Sequence, residues 1–211
     1  MKITKFAHCC LLIEERGVRI LIDPGFYSAD AVKDLQNIHV ILITHDHHDH
    51  LFIDSLKIIL EHNPEAFILT NTGTGISLTN AGIKFELLED GGKKEYQDVL
   101  IEGFGKDHAI MHTSIPCSPN TGYFIADKFF FPGDSLIKPN KPVDILALPV
   151  AGPWMKLPEG IDYALEVKPR VCFPVHEGNV NYQTIYRLPK QVLEPQGIKF
   201  LDIEKGKEID L

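Results

Sequence analysis

The segment His45-Asp46-His47-His48-Asp49-His50 packs four histidines and two aspartates into six positions. Imidazole and carboxylate are the ligands that borderline divalent metals prefer. In an extended segment, side chains two apart point the same way. His45 and His47 can therefore take one ion together, while His48 points away from them and is expected not to ligate. Asp49 and His50 fall where the chain turns into a following helix, and can face a second ion nearby. One short loop then serves two ions, each of which needs further ligands from elsewhere in the chain.

Candidates for those ligands also follow apolar runs. His108 comes just after residues 99–104, Asp134 after Phe129-Phe130-Phe131-Pro132-Gly133, and His176 after Val171-Cys172-Phe173-Pro174-Val175. A polar side chain at the end of a hydrophobic strand is where an open α/β sheet usually places its site. His112 competes with His108 in Asp107-His108-Ala109-Ile110-Met111-His112; His108 is preferred because it comes sooner after its strand. His112 is then a residue that contacts substrate or supports the site, or an ordinary loop histidine. Trp154, the only tryptophan, lies in Ala151-Gly152-Pro153-Trp154-Met155-Lys156. It reads as a wall of the substrate pocket or as part of a packed surface loop. Ser114-Ile115-Pro116-Cys117-Ser118-Pro119-Asn120 is a second loop suited to shape an entrance. His8, beside Cys9 at a strand start, reads as a structural histidine with a supporting role as the alternative. His39 and His62 read as surface residues.

These residues need a scaffold of buried strands. Residues 10–14 and 18–23 flank Glu15-Arg16-Gly17 as a hairpin, and Asp23-Pro24-Gly25 stops its second strand. The apolar run 40–44 suits a strand buried on both faces. Helical spacing over 51–60 ends at Asn63-Pro64. Strands are predicted at 66–70, 84–88, 99–104, 122–126, 129–131, 143–148, 171–175 and 199–203. Helices are predicted at 74–81, 160–167 and 182–193. Strands with helices interspersed in both halves predict an α/β fold of two packed sheets with helices outside. No short-period repeat is visible.

The 211 residues suit one compact domain spanning 1–211, with core enough to need no disulfides. No C-x-x-C pair occurs, and Cys9, Cys10, Cys117 and Cys172 read as small buried hydrophobes. No apolar stretch approaches membrane-spanning length and the N-terminus lacks a signal-peptide pattern, so a cytoplasmic location without membrane association is expected. The formal net charge of −8, with scattered basic residues, argues against a nucleic-acid partner. A homo-oligomer is left open.

The sequence resembles the metallo-β-lactamase superfamily, in its branch of small metal-dependent hydrolases, over nearly the whole chain. Ile20-Leu21-Ile22-Asp23-Pro24-Gly25 is similar to the strand ahead of that family's metal loop. Residues 45–50 fit its H-x-H-x-D-H signature, Pro132-Gly133-Asp134 its later Gly-Asp motif, and Pro174-Val175-His176 its final histidine. The resemblance implies a four-layer αββα sandwich of two mixed β-sheets flanked by helices, with the site at one edge. It also implies ligand roles: His45, His47 and His108 for one ion; Asp49, His50 and His176 for the other; Asp134 between them.

Two ions so held can supply a bridging hydroxide near neutral pH and polarise the substrate oxygen it attacks. Asp49 would orient that nucleophile, which makes it the catalytic candidate. Zinc is the expected metal, with manganese or iron compatible with the same donors. With no room for a large added domain, the expected substrate is a small molecule: an ester, a lactone or a phosphodiester. Three rival readings share the scaffold: a metal-dependent nuclease, which the acidic balance disfavours; an iron redox protein, which usually carries a fused electron-transfer domain; and a non-catalytic metal-binding or sensing protein.

Overall fold

The computed structural model describes residues 1–178 and 183–211. The chain builds two seven-stranded sheets, one mainly from each half, and strand alternation decides which side chains meet in the middle. The first sheet holds β1 (Lys2–Ala7), β2 (Cys10–Glu15), β3 (Val18–Ile22), β4 (Val40–Leu42), β5 (Phe67–Thr70) and β6 (Glu86–Leu87) side by side in chain order. The second holds β7 (Lys93–Tyr96), β8 (Val99–Phe104), β9 (Gly122–Ile125), β10 (Phe129–Phe131), β11 (Ile145–Pro149), β12 (Val171–Val175) and β13 (Lys199–Phe200), again in chain order. The last strand, β14 (Glu208–Asp210), returns to pair with β1.

Both sheets start as antiparallel meanders and become parallel, at β3–β4 in the first and β10–β11 in the second. The switch follows from connection chemistry. Arg16 and Gly17, both at positive φ, make the two-residue turn that joins antiparallel β2 and β3. Parallel neighbours instead need crossovers, which the helices supply. After α1 (Ala29–Val32), α2 (Ile53–His62) joins β4 to β5 and α3 (Thr72–Asn80) joins β5 to β6. In the second sheet α4 (Leu157–Val167) and α5 (Thr184–Leu193) do the same around β12. The repeated succession is the structural repeat that the sequence hides.

Ile20, Ile22, Val40 and Leu42 meet Phe129, Phe131, Val171 and Phe173 between the sheets. Leu21, Ile41 and Ile68, one step out of phase, pack with Leu56 and Ile59 of α2. Leu146, Cys172 and Phe200 pack with Ile161 and Ala164 of α4 and Ile185 of α5. These three apolar layers make the αββα sandwich that the resemblance implied.

Three strands were invisible in the sequence. In β1, Ile3 and Lys5 both face inward, at 0% and 1% exposure, and the buried lysine breaks the apolar alternation. β7 and β14 are polar edge strands formed by pairing with β8 and β1. Helix α4 begins at Leu157, earlier than predicted, because Pro158 suits a first turn and Glu159 accepts from the Lys156 N–H at 2.7 Å. The predicted helix start at Tyr182 lies outside the described residues. Of the cysteines, Cys117 departs from expectation: it sits exposed on the loop before β9, whereas Cys9, Cys10 and Cys172 are buried. No helix among the described residues is long and apolar enough to cross a membrane.

Candidate metal centre

The His-rich loop leaves β4 and is held from below by the segment that ends β3. Asp23, fully buried, accepts from the Thr44 N–H at 2.8 Å and the Thr44 hydroxyl at 2.7 Å. Phe26 N–H donates to His48 O at 3.0 Å, and Phe52 N–H to Pro24 O at 3.3 Å. Gly25 lies so close beneath that a Cβ there would stand 1.8 Å from Asp49 O. Asp23-Pro24-Gly25, read from the sequence as a strand stop, is therefore also the bed of the loop. The glycine gave a signal, but only its partner's position explains it.

The loop then curls, with His50 and Leu51 N–H groups both donating to His47 O, at 2.9 and 2.8 Å. The curl delivers its side chains into two groups whose potential ligand atoms all lie within 4.8 Å of one another in each. One is His45, His47, His108 and Asp134; the other is His8, Asp49, His50 and His176. Asp134 reaches both. Its Oδ2 lies 3.3 Å from His108 Nε2 and 2.8 Å from His176 Nε2, while its Oδ1 lies 3.1 Å from His50 Nε2.

The outer hydrogen bonds set which ring nitrogen faces inward. Thr44 Oγ1 spends its proton on Asp23, so it accepts from His45 Nδ1 at 2.9 Å. His50 Nδ1 donates to Asp23 Oδ2 at 2.7 Å, and His108 Nδ1 donates to Ala109 O at 2.6 Å. A neutral imidazole with its proton on Nδ1 presents a lone pair at Nε2. All three Nε2 atoms point into the site. His47 turns its Nδ1 to within 3.1 Å of His45 Nε2, leaving Nε2 towards Ser118 Oγ at 3.4 Å.

This donor set fits divalent metal. His50 Nε2, His108 Nε2, Asp134 Oδ1 and His176 Nε2 are buried without a hydrogen bond of proper geometry. Buried unpaired polar atoms cost about 1–3 kcal/mol each, and bound cations would satisfy them. The electrostatics agree. Burial alone would lower the His50 pKa, but the Asp134 and Asp23 carboxylates outweigh it and hold it well above the usual histidine value. Burial alone would raise Asp134, but His50 and His176 hold it well below the usual carboxylate range. A site that draws a proton between its ligands is one a cation can occupy in the proton's place.

Supports missed by the sequence reading sit around Asp134. Asn120 Oδ1 accepts from the Asp134 N–H at 3.0 Å, and Asn120 Nδ2 donates to Pro132 O at 2.9 Å. Gly133, at φ +64, leaves room for this amide, because a Cβ there would stand 2.3 Å from Asn120 Oδ1. Trp154, read from the sequence as a pocket wall or as part of a packed loop, packs against the Asp134 carboxylate. Its indole is 9% exposed and donates from Nε1 to Asp134 Oδ2 at 2.9 Å. Its loop folds inward because the indole N–H needs an acceptor once buried.

His8 is also more than a lone structural histidine. Held at φ 53 in the turn between β1 and β2, it places Nε2 3.0 Å from Asp49 Oδ2. Burial pushes its imidazole down to about 4, so it is neutral at pH 7. By contrast His112 is exposed, bonded through Nδ1 to Ser114 Oγ at 2.7 Å, and joins neither group; His108 does. His48 is exposed against Phe26. His62 is exposed, as expected, but His39 is half-buried and its Nδ1 accepts from the Arg19 N–H at 3.0 Å.

Comparison with known proteins places the chain in a family. A model of the β-lactamase superfamily domain matches residues 2–176. Protein Rv0786c of Mycobacterium tuberculosis is 35% identical over 185 residues, covering 85% of each chain. A UPF0173 metal-dependent hydrolase of Lysinibacillus sphaericus is 25% identical, over 100% of this chain and 96% of that protein. The solved structure of Igni18, a metallo hydrolase from Ignicoccus hospitalis, superposes with a TM-score of 0.76 at 23% identity, covering 99% of this chain and 97% of that one. The shared carboxylate, the two histidine groups and the αββα sandwich thus sit in a chain that belongs to the β-lactamase superfamily domain family, among relatives named as metal-dependent hydrolases.

Proposed function

We propose that this chain is a metal-dependent hydrolase whose two groups hold two divalent ions and which cleaves a small ester or lactone, with a small phosphodiester as the next substrate class. Zinc is our choice of metal, with manganese or iron accepted by the same donors. The observation that carries the reading is Asp134, whose carboxylate faces His108 of one group and His50 and His176 of the other. One buried carboxylate serving two histidine groups is what a two-ion site requires. Ions held there by these residues would activate a water and polarise the scissile carbonyl.

The protein's own part is to place groups. His45, His47 and His108 with Asp134 form one pocket of donors; Asp49, His50 and His176 with Asp134 form the other. Asp49, 30% exposed, borders solvent and is suited to orient the attacking water. The site's acids, Asp23, Asp49 and Asp134, pair with histidines. The one buried lysine, Lys5, is held by Glu177 at 2.5 Å and by Pro174 O at 2.7 Å. This arrangement favours a neutral ester over a phosphate. Phe26 and Tyr27, both exposed, stand beside His48 and His8 and offer an apolar edge to a substituent of the substrate. His112 and Trp154 are our remaining candidates for substrate contact, Trp154 only through its exposed edge. Four free cysteines suit a reducing compartment, and we assign the chain to the cytoplasm. The residues 1–211 act as one domain in this reading.

The test is a panel of lactones, aryl esters, phosphodiesters and RNA against the metal-loaded protein, with metal content measured in parallel. Turnover of a lactone or ester, lost in Asp134→Ala, is the expected result. Turnover of RNA alone would make the protein a nuclease. Tight metal binding with no turnover of any class would make it a metal-binding or sensing protein.

A further inference from the structure

His8 lies with Asp49, His50 and His176, close enough for all four to share one ion. Its hydrogen bonds say otherwise. Gly178 donates its backbone N–H to His8 Nδ1 at 2.9 Å. A backbone N–H can only donate, so Nδ1 must present its lone pair to Gly178. The single proton of the neutral ring is then on Nε2. That proton points at Asp49 Oδ2, 3.0 Å away. A metal needs a free lone pair on a ring nitrogen, and His8 has none to offer: Nδ1 faces an N–H and Nε2 carries one.

We propose that His8 is a positioning residue, a clamp that donates to Asp49 and joins the two ligand-bearing segments, and not a ligand itself. The inference rests on the two-ion reading of the site. Three segments of the fold converge on this one side chain. His8 itself sits in the β1–β2 turn of the first sheet. Asp49 belongs to the loop after β4. Gly178 lies just past β12 of the second sheet. The main chain adds a third tie, since His8 O accepts from His176 N–H at 3.3 Å. Asp49 and His176 are therefore held relative to each other through His8. Without it Asp49, on a partly exposed loop, loses the donor that fixes its carboxylate rotation. The clamp also leaves the second group with one protein ligand fewer than proximity suggests, which keeps a coordination position free for water or substrate, as catalytic metal sites require.

Two measurements on the full chain test this. In the first, imidazole ¹⁵N signals of His8 are recorded in the wild type loaded with ¹¹³Cd²⁺. Protonated Nε2, unprotonated Nδ1 and no cadmium–nitrogen coupling are expected; coupling to either His8 nitrogen overturns the proposal. In the second, metal-free wild type, His8→Ala, His8→Phe and His8→Gln are titrated with Co²⁺, followed by calorimetry and visible absorption. Loss of an outer-sphere partner typically costs about 10–100-fold in metal affinity, and that loss is expected for one of two ions in the Ala and Phe variants. Glutamine carries a donor and an acceptor that can reach Asp49 and Gly178, so His8→Gln should stay within about threefold of wild type, with an unchanged cobalt spectrum. Wild-type affinity in His8→Ala, or a changed coordination spectrum in His8→Gln, overturns the clamp. A wild type that takes up fewer than two ions overturns the two-ion reading separately, while the ¹⁵N signals still decide His8.

Discussion

Gly25→Ala isolates a steric demand of the metal loop. Gly25 sits at φ −84 and ψ −179, an extended conformation that alanine adopts without strain. The substitution therefore acts through its added methyl group alone. The new Cβ would stand 1.8 Å from Asp49 O, 2.1 Å from Asp49 C and 2.6 Å from His50 N. Real Cβ atoms stay beyond 3.0 Å, so this peptide must move by about 1.2 Å or the segment beneath must give way. The peptide joins two of the proposed ligands, and its neighbours fix it on both sides through His47 O and Phe26 N–H. Overpacking of this kind costs about 1–3 kcal/mol of stability. A displacement of about 1 Å at a reacting centre costs roughly 100-fold in rate. The expected outcome is a folded protein with metal affinity reduced and kcat/KM lowered about 100-fold on any substrate the panel finds. Emission from Trp154, the only tryptophan and bonded to Asp134, reports metal uptake without a substrate. Gly17→Ala is the control. A Cβ there meets nothing within 4 Å, so the residue's φ of +81 costs about 1–2 kcal/mol while the metal centre stays intact. Wild-type metal affinity and turnover in Gly25→Ala would refute the reasoning.

Asp23→Asn keeps the shape beneath the loop but removes the charge that orients His50; metal affinity should fall about 10–100-fold in a titration, and an unchanged value counts against the role. His45→Ala and Asp134→Ala should each abolish hydrolysis, and full activity with unchanged metal content in either would remove the proposed site. Phe173→Ala, opening a cavity between the sheets at a fully buried position, should cost about 3–5 kcal/mol by denaturant unfolding while metal stoichiometry holds. Glu102 supplies a pH prediction. Burial alone would raise its pKa, but Lys141 and Lys93 outweigh it and hold the carboxyl below its usual 4.5. Its contribution to stability is thus full above about pH 4.5 and is lost as pH falls through the lowered folded-state value. Lys141→Met removes one partner, lets the folded-state value rise, and should move the acid-unfolding midpoint to higher pH; a midpoint that stays put rejects this account.

The sequence by itself determined the parts of this protein that are local. The spacing of His45, His47, Asp49 and His50 is contiguous, so a strand before it and a helix after it suffice to aim the side chains. The apolar runs of β4, β8, β10 and β12 announce strands, and a polar residue at each end announces His108, Asp134 and His176. Only the tertiary structure decided what holds these groups in place. Asp23 and His50 are 27 residues apart, His8 and Asp49 are 41, and His8 and Gly178 are 170. Trp154 reads equally as a pocket wall or a packed loop residue until the fold brings its N–H to Asp134. Lys5 is buried only because the segment after β12 brings Glu177 to it. A side chain's own type tells which proton it can give or take, but its partner is chosen by how the two sheets pack, and that choice separates a ligand from the residue that aims it.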